Sequence, residues 1–500
     1  MIQGNGLSDA YTATLARLQA QRGNKSILGM KVLMWVLYSE RPLIAEELCH
    51  ALGVELGSTD LDLENVPALR TLLASSLGLV TVEASSSTIR LVHFTLQEHL
   101  LSDSTLFHSP HSTIAEVCLT YLNFRCIRDL SPTLRSAPET MPLLEYASYY
   151  WGEHTKKGLT ENIKILALRL LNKFEEHISA QLILLRYTTS SDYLSGFHFN
   201  SMRGPIGFTA LHGGAFLGIV EIFAAVLEMK EWDVNALDNA SYTPLIWAAL
   251  LGNEEVVRIL LERGDVNPEL KGHSHGRRPL ECAAAKGHER VVKVLLERED
   301  ANPGRASPGY YQKALYSAAA FGHEGIVKMI LAREDVNPNQ VPSEYSGPPL
   351  SIAAWNEHEG VVKLFLERED VNPNWEEPFS CTTLLMEAVS RGNEGIVKML
   401  LERKDIRIDT PDGWNQTPLS LALSKGHYKI ARMISERAAI KSNTADPGNE
   451  ESLPPSAGYV EEPLAEMELR DDHSNTNTAD TSEQPTSPPA GPDAPEELSG

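Results

Sequence analysis

Apolar and polar positions follow a helical period over much of the chain, and one such pattern recurs seven times between residues 209 and 440. In its clearest copy, the small and apolar residues of 313–319 precede Gly322-His323, an apolar stripe at 326–331 and Asp-Val-Asn-Pro at 335–338. Apolar residues three and four positions apart predict two amphipathic helices per copy. The glycine between them predicts a left-handed residue that ends the first helix.

The turn position gives the period of this repeat. It falls at residues 218, 252, 287, 322, 357, 392 and 426, in steps of 34 or 35, and only the fifth copy lacks glycine, having Glu357. Such a period predicts a solenoid, in which stacked units bury one continuous core that no single unit could form. The pattern therefore favours a binding surface over a catalytic site.

The repeated residues resemble the ankyrin repeat over residues 206–440. The resemblance rests on four features at the family's spacing: first-helix starts such as Thr243-Pro244-Leu245, paired alanines such as 248–249, the Gly-His turn, and Asp-Val-Asn. Two features depart from that family. The glycine that usually ends the second helix is kept at Gly264 but is Glu at positions 299, 334 and 369. The fingers, which are the extended segments that follow the second helix of each repeat, are also about three residues longer than usual in the four interior units.

The ankyrin resemblance implies where a partner protein would bind, because that family uses its finger tips and the inner face of its first helices. The implied finger-tip residues are Tyr242, Tyr310, Tyr311, Tyr345, Trp375, Phe379 and Trp414, and the implied inner-helix residues are Leu250, Phe321, Trp355 and Arg391. Exposed aromatic side chains offer a large contact area at low entropic cost. The alternative is that some of these rings pack against a neighbouring finger.

Residues 27–110 carry a different pattern. Helices are predicted at 27–38, 42–52 and 66–77, followed by strands at 80–83 and 89–94 that a polar hairpin separates. Three helices and a hairpin describe a winged helix. Arg41-Pro42-Leu43, Glu46-Glu47-Leu48 and residues 92–98 make the segment resemble the winged helix of fungal NACHT–ankyrin proteins, which are receptor-like.

That resemblance continues through a predicted helical linker domain at 111–204, after a leading segment at 1–26. It implies an ATPase upstream of the winged helix, and the chain is expected to start where that ATPase ends. A separate NACHT ATPase is thus one possible partner. Gly23-Asn24-Lys25-Ser26 lacks the Gly-Lys pair and the preceding strand of a phosphate-binding loop, so we expect no nucleotide cofactor.

Charge and cysteine content exclude several other functions. The net charge is −23, and residues 27–110 hold four Lys or Arg against ten Asp or Glu, so neither nucleic acid nor an anionic membrane is an expected partner. The five cysteines form no Cys-x-x-Cys pair, and there is no secretory leader or membrane-length apolar run. These features predict a cytoplasmic protein, with a nuclear location as the alternative.

The last sixty residues have their own composition. Residues 441–500 contain fourteen Asp or Glu, two Lys or Arg and nine prolines. Such a segment has too little apolar surface to offset the entropy of ordering, so we predict a disordered acidic tail. An acidic tail leaves open a second role, in which the protein is a regulatory adaptor acting through this segment.

Two motifs could suggest chemistry. Gly272-His273-Ser274-His275-Gly276 matches the nucleophile elbow of serine hydrolases, but no buried strand precedes it, so we predict no enzyme. The histidines at 288, 323, 358 and 427 occur once per repeat, about 10 Å apart, which is too far for a shared metal ion. We expect them to hydrogen-bond the neighbouring turn, and we predict no metal site.

The sequence thus predicts a mainly α protein with a winged-helix and helical N-terminal region, a seven-repeat ankyrin solenoid and a disordered tail. The predicted function is that of a non-enzymatic scaffold that recognises a partner protein in the ankyrin groove. The alternatives are an adaptor acting through the tail and a fragment of a nucleotide-driven, NLR-like immune receptor.

Overall fold

The computed structural model describes residues 4–190, 205–229, 232–270, 278–301, 309–342 and 345–444. These residues form 24 α-helices and one two-stranded sheet, which confirms the mainly α class. The Ser274 motif with its two flanking histidines lies outside the described residues. Of the predicted disordered tail, 441–500, residues 441–444 continue the last helix, and the rest lies outside the described residues.

The winged-helix module contains the three predicted helices and the predicted hairpin. These are α2 (Asn24–Tyr38), α3 (Ala45–Gly53), α4 (Leu69–Ser75), β1 (Val80–Val82) and β2 (Ile89–Leu91), after an unpredicted α1 (Gly4–Gln19). The strands pair antiparallel, with Val80 opposite Leu91. The second strand ends before the predicted residue 94, because α5 (Phe94–Ser102) begins there and His93 caps it. Helix α1 buries Leu15 and Leu18 in the same core.

A helical domain follows the winged helix and packs on both of its neighbours. Its helices are α6 (Pro110–Leu122), α7 (Arg125–Arg128), α8 (Leu143–Lys157), α9 (Glu161–Leu171) and α10 (Ile178–Ser190). On one side, α6 contacts α2 and α8 contacts α3, and the rings of Trp35 and Tyr146 are 6.0 Å apart. On the other side, Phe174 lies against Gly213, where a β-carbon would be 2.5 Å from the ring. This domain therefore covers the first face of the solenoid, as a capping unit does.

Seven antiparallel helix pairs form the solenoid, in agreement with the seven copies in the sequence. The pairs are α11 (Ala210–Leu217) with α12 (Val220–Met229), α13 (Pro244–Leu250) with α14 (Glu254–Glu262), α15 (Pro279–Lys286) with α16 (Glu289–Ala301), α17 (Tyr310–Ala320) with α18 (Glu324–Leu331), α19 (Pro349–Trp355) with α20 (Glu359–Leu366), α21 (Leu384–Arg391) with α22 (Glu394–Glu402), and α23 (Pro418–Ser424) with α24 (Tyr428–Thr444). Successive first helices contact one another from α11 to α23.

The turn between the two helices is left-handed in every repeat. All six predicted glycines have φ between 69° and 76°, and Glu357, at the turn of the fifth repeat, has φ 59°. The next repeat covers several of these glycines with an imidazole ring. His288, His323 and His358 each lie within hydrogen-bond distance of a carbonyl of the preceding repeat, at 3.0, 3.2 and 3.0 Å. The prediction that these histidines bind the neighbouring turn is confirmed for these three.

The other edge of the solenoid is held by arginine side chains. Arg263, Arg333, Arg368 and Arg403 each pair with the aspartate two residues later, through Nε and Nη2. Arg368 and Arg403 also reach back to the preceding repeat and donate to the carbonyls of Leu331 and Leu366. Positive φ is absent at Gly264, Glu334 and Glu369 in this described part of the chain, so this position needs no glycine here.

Candidate partner-binding groove

A pocket of about 290 Å³ opens between the first helices and the fingers of the middle repeats. Helices α17, α19 and α21 supply Tyr316, Trp355 and Glu387, and the finger between α20 and α21 supplies Trp375 and Glu377. The first helices of a solenoid line its inner face, so side chains far apart in sequence meet there. This surface, from Tyr316 to Glu387, is called the central pocket below.

Aromatic rings form the apolar walls of the central pocket. The rings of Tyr316 and Tyr345 stack with their centroids 3.9 Å apart and their planes 19° apart. Trp355 is 51% exposed, which is unusual for an indole at the end of a helix in a packed repeat. Trp375 also lines the pocket and is half-buried. Partly exposed aromatic rings of this kind are typical of a contact surface.

Carboxylates line the same pocket. The Arg391 guanidinium lies 3.8 Å from the centroid of the Trp355 ring and donates to Glu387 Oε1 at 2.7 Å. Glu377 accepts hydrogen bonds from the Ser380 hydroxyl and from the backbone N–H groups of Phe379 and Ser380. The Ser380 hydrogen bonds lower the pKa of Glu377, so this carboxylate is ionised at neutral pH.

The finger beside the pocket is a small hairpin that presents an aromatic ring at its tip. Glu376 and Thr383 form an antiparallel bridge, and the Cys381 N–H donates to the Glu377 carbonyl at 2.8 Å. These bonds leave Phe379 at the tip, 95% exposed. The next finger donates from the Gly413 N–H to the Ser380 carbonyl at 2.8 Å, and it carries Trp414, which is 73% exposed. The two tips thus extend the aromatic surface beyond the pocket.

Comparisons with known proteins agree with this architecture. The family model of ankyrin repeats matches in overlapping segments from residue 186 to residue 446, which is more than half of the 500 residues. The chain belongs to the ankyrin-repeat family. The model described as "GPI inositol-deacylase, winged helix domain" matches residues 15–112. A winged helix followed by ankyrin repeats is the order that the resemblance to NACHT–ankyrin proteins implied, and both parts are confirmed.

Two solved structures are similar to the ankyrin part of the chain. The human ASB11 ankyrin repeat domain shares 23% identity with a TM-score of 0.39, covering 45% of this chain and 96% of that one. The ankyrin repeat domain of Bcl-3 shares 24% identity with a TM-score of 0.39, covering 45% of this chain and 99% of that one. No curated protein matches the chain significantly. Among the described helices, none has the length and apolar character needed to cross a bilayer.

Four of the predicted ankyrin contact residues are buried, so the expectation that they are exposed is wrong. Tyr242, Leu250, Tyr310 and Tyr311 are between 2% and 6% exposed. Tyr310 and Tyr311 were expected at a finger tip, but α17 has an extra first turn that includes them and turns their rings into the core. Tyr242 packs edge-on against Trp247 at 5.4 Å. These four side chains are therefore part of the hydrophobic core.

Six of the seven remaining predicted residues fall into two groups, and Phe321 belongs to neither. Trp355 and Trp375 line the central pocket, while Tyr345 and Arg391 pack on rings that line it. Phe379 and Trp414 lie on the neighbouring ankyrin finger tips, and Phe321 is a half-buried residue at the end of α17. Tyr316, Glu377 and Glu387 also line the pocket and were not predicted from the sequence. For Tyr316 and Glu387 the sequence signal is spacing, since Tyr316 and Ser351, and likewise Ile352 and Glu387, are 35 residues apart in successive first helices and all four line the pocket.

Proposed function

We propose that this protein is a binding scaffold, rather than an enzyme, and that its central pocket recognises a segment of a partner protein. The observation that supports the proposal is the meeting of Tyr316, Trp355 and Trp375, from three separate structural elements, around one open pocket. Ankyrin solenoids present such concave surfaces to partners. The exposed tips at Phe379 and Trp414 would extend the contact along the partner chain.

The chemistry of the pocket favours a basic side chain on the partner. Two carboxylates, Glu377 and Glu387, line the pocket together with the two indoles, and an indole face attracts a cation. Arg391 already lies over Trp355 in this way, so the chain itself contains an example of the interaction. The net charge of −23 also favours the approach of a basic partner. The expected ligand is therefore an extended segment with a Lys or Arg that enters between Trp355 and Trp375.

A random peptide library displayed on phage tests this proposal on the full chain. Selected peptides should be enriched in Lys or Arg, and Trp355→Ala should weaken their binding at least about tenfold. Tyr428→Ala is the matched control, because Tyr428 is an aromatic residue of similar exposure, 53%, outside the pocket. Peptides without basic residues, or equal weakening by both substitutions, would contradict the proposal.

A further inference from the structure

A second cluster of polar side chains lies far from the ankyrin groove, where the winged helix meets the helical domain. Glu40 follows α2, His111 is in the first turn of α6, and His154 is in the last turn of α8. One ligand atom from each of these three residues lies within 4.8 Å of the others. Within the described residues, this is the group of His, Cys, Asp and Glu side chains that could hold a metal ion.

The two imidazoles face each other through the same type of nitrogen. Their Nδ1 atoms are 2.9 Å apart, so one ring must carry a proton on Nδ1 and donate it to the other. On the far side of the His154 ring, Nε2 lies 2.9 Å from the Tyr146 hydroxyl, which also accepts the Glu40 N–H at 3.1 Å. A hydrogen bond to the second ring nitrogen is what orients a histidine that ligates a metal.

We propose that Glu40, His111 and His154 bind a Zn²⁺ ion that links the winged helix to the helical domain. Two imidazoles and one carboxylate are a donor set that zinc accepts, with a fourth position filled by water. Zinc bonds of about 2.0–2.1 Å place tetrahedral ligand atoms about 3.3 Å apart, so the two Nδ1 atoms need to separate by only about 0.4 Å. Before both Nδ1 atoms can bind the ion, the ring that donates in this pair must change tautomer, giving up its Nδ1 proton and taking one from solvent at Nε2, so both imidazoles bind as neutral ligands.

Lys157 competes with the ion for one ligand. Its ammonium lies 2.5 Å from Glu40 Oε1, and its side chain is 46% exposed, compared with 23% for Glu40. A half-exposed ion pair of this kind contributes little to stability, so Lys157 can turn into solvent when Zn²⁺ takes the carboxylate. Removal of Lys157 therefore distinguishes a metal site from a histidine pair with only a structural role. Zn²⁺ should bind more tightly without Lys157 only if Glu40 is one of its ligands.

Titration of the full, chelator-treated chain with ZnCl₂ in a calorimeter tests the proposal. One ion should bind per chain, and His111→Ala and Glu40→Gln should each weaken binding at least about tenfold. His108→Ala is the matched control, since this exposed histidine lies three residues away in the same segment. Lys157→Ala should bind Zn²⁺ more tightly than the unmodified chain.

Thermal unfolding gives a second readout. Zn²⁺ should raise the melting temperature of the unmodified chain and of His108→Ala, because an ion that binds only the folded state stabilises it. The same addition should raise the melting temperature of Glu40→Gln by less. An unmodified chain that binds no Zn²⁺, or His111→Ala and Glu40→Gln variants that bind it as the control does, would overturn the proposal.

Discussion

The imidazole of His358 covers Gly322 of the preceding repeat so closely that a β-carbon on Gly322 would lie 2.7 Å from His358 Nδ1. The same ring places Nε2 3.0 Å from the Ala320 carbonyl, to which it donates. Glycine is therefore favoured at this turn for two reasons. Its backbone adopts the left-handed conformation without strain, and the absence of a β-carbon leaves room for the histidine ring of the next repeat. His288 over Gly252 and His323 over Gly287 repeat this arrangement.

Gly322→Ala should destabilise the protein by about 2 kcal/mol, from the left-handed strain of an alanine together with displacement of the His358 ring. Gly426→Ala is the control, because Gly426 has φ 76° but nothing within 4 Å of its missing β-carbon. It should lose only about 1 kcal/mol, from strain alone. Urea unfolding of both variants measures the difference, and equal losses would mean that the ring contact contributes nothing.

Glu357 occupies the same left-handed position with φ 59°, and the next repeat places Asn393 where others have histidine. Glu357→Gly should raise the free energy of unfolding by about 0.5 kcal/mol, as relief of strain slightly exceeds the added entropy of the unfolded chain. Asn393→His alone should be destabilising, since the Glu357 β-carbon occupies the space of the ring. Combining the two should recover stability, and a double-mutant cycle without this favourable coupling would refute the explanation.

Arg403 should contribute more to stability than Arg263, although both pair with an aspartate. Arg403 also donates to the carbonyls of Leu366, Arg368 and Val371, and its side chain is 14% exposed, compared with 41% for Arg263. Arg403→Ala should cost about 2 kcal/mol, because it leaves part-buried carbonyls without donors. Arg263→Ala should cost less than about 1 kcal/mol, as exposed ion pairs do. Chemical denaturation that ranks them in the opposite order would count against the inter-repeat role of Arg403.

His212 should make stability fall as the pH drops below about 6.5. Its Nδ1 accepts from the Thr209 N–H, and its Nε2 faces the carbonyls of Ala236 and Tyr242. Burial lowers the pKa of His212 to about 4, so the folded state favours the neutral ring. In the unfolded chain the pKa of His212 is near 6.5, so as the pH falls the unfolded state binds a proton before the folded state does. The contribution of the neutral His212 ring to stability is therefore complete above pH 6.5 and is lost as the pH falls toward 4.

The resulting loss between pH 7.5 and pH 5 is about 2 kcal/mol for this one group. Urea unfolding at the two pH values measures it. His212→Gln removes the titrating ring, so the variant should show a pH dependence smaller by about that amount, even if it is less stable at both pH values. An unchanged pH dependence would show that His212 does not titrate as its burial requires.

The sequence alone determined the repeat, its turns and the order of the modules. Turn glycines and helical periodicity are local properties of the backbone, so Gly322 and its counterparts mark the same left-handed turn before any packing is known. The role of the turn histidines also followed from the period, because stacked copies bring each His to the turn before it. The winged helix was recognisable since its helices and hairpin are contiguous in the chain.

Only the tertiary structure decided which side chains are exposed and which ones meet. One extra turn of helix in α17 buries Tyr310 and Tyr311, and a difference of a few residues in a helix start has no clear sequence signal. The central pocket needs Tyr316, Trp355 and Trp375 from three elements, and the polar cluster joins residues 40, 111 and 154. Such groups depend on how helices stack in space, because packing brings together residues that no local pattern relates.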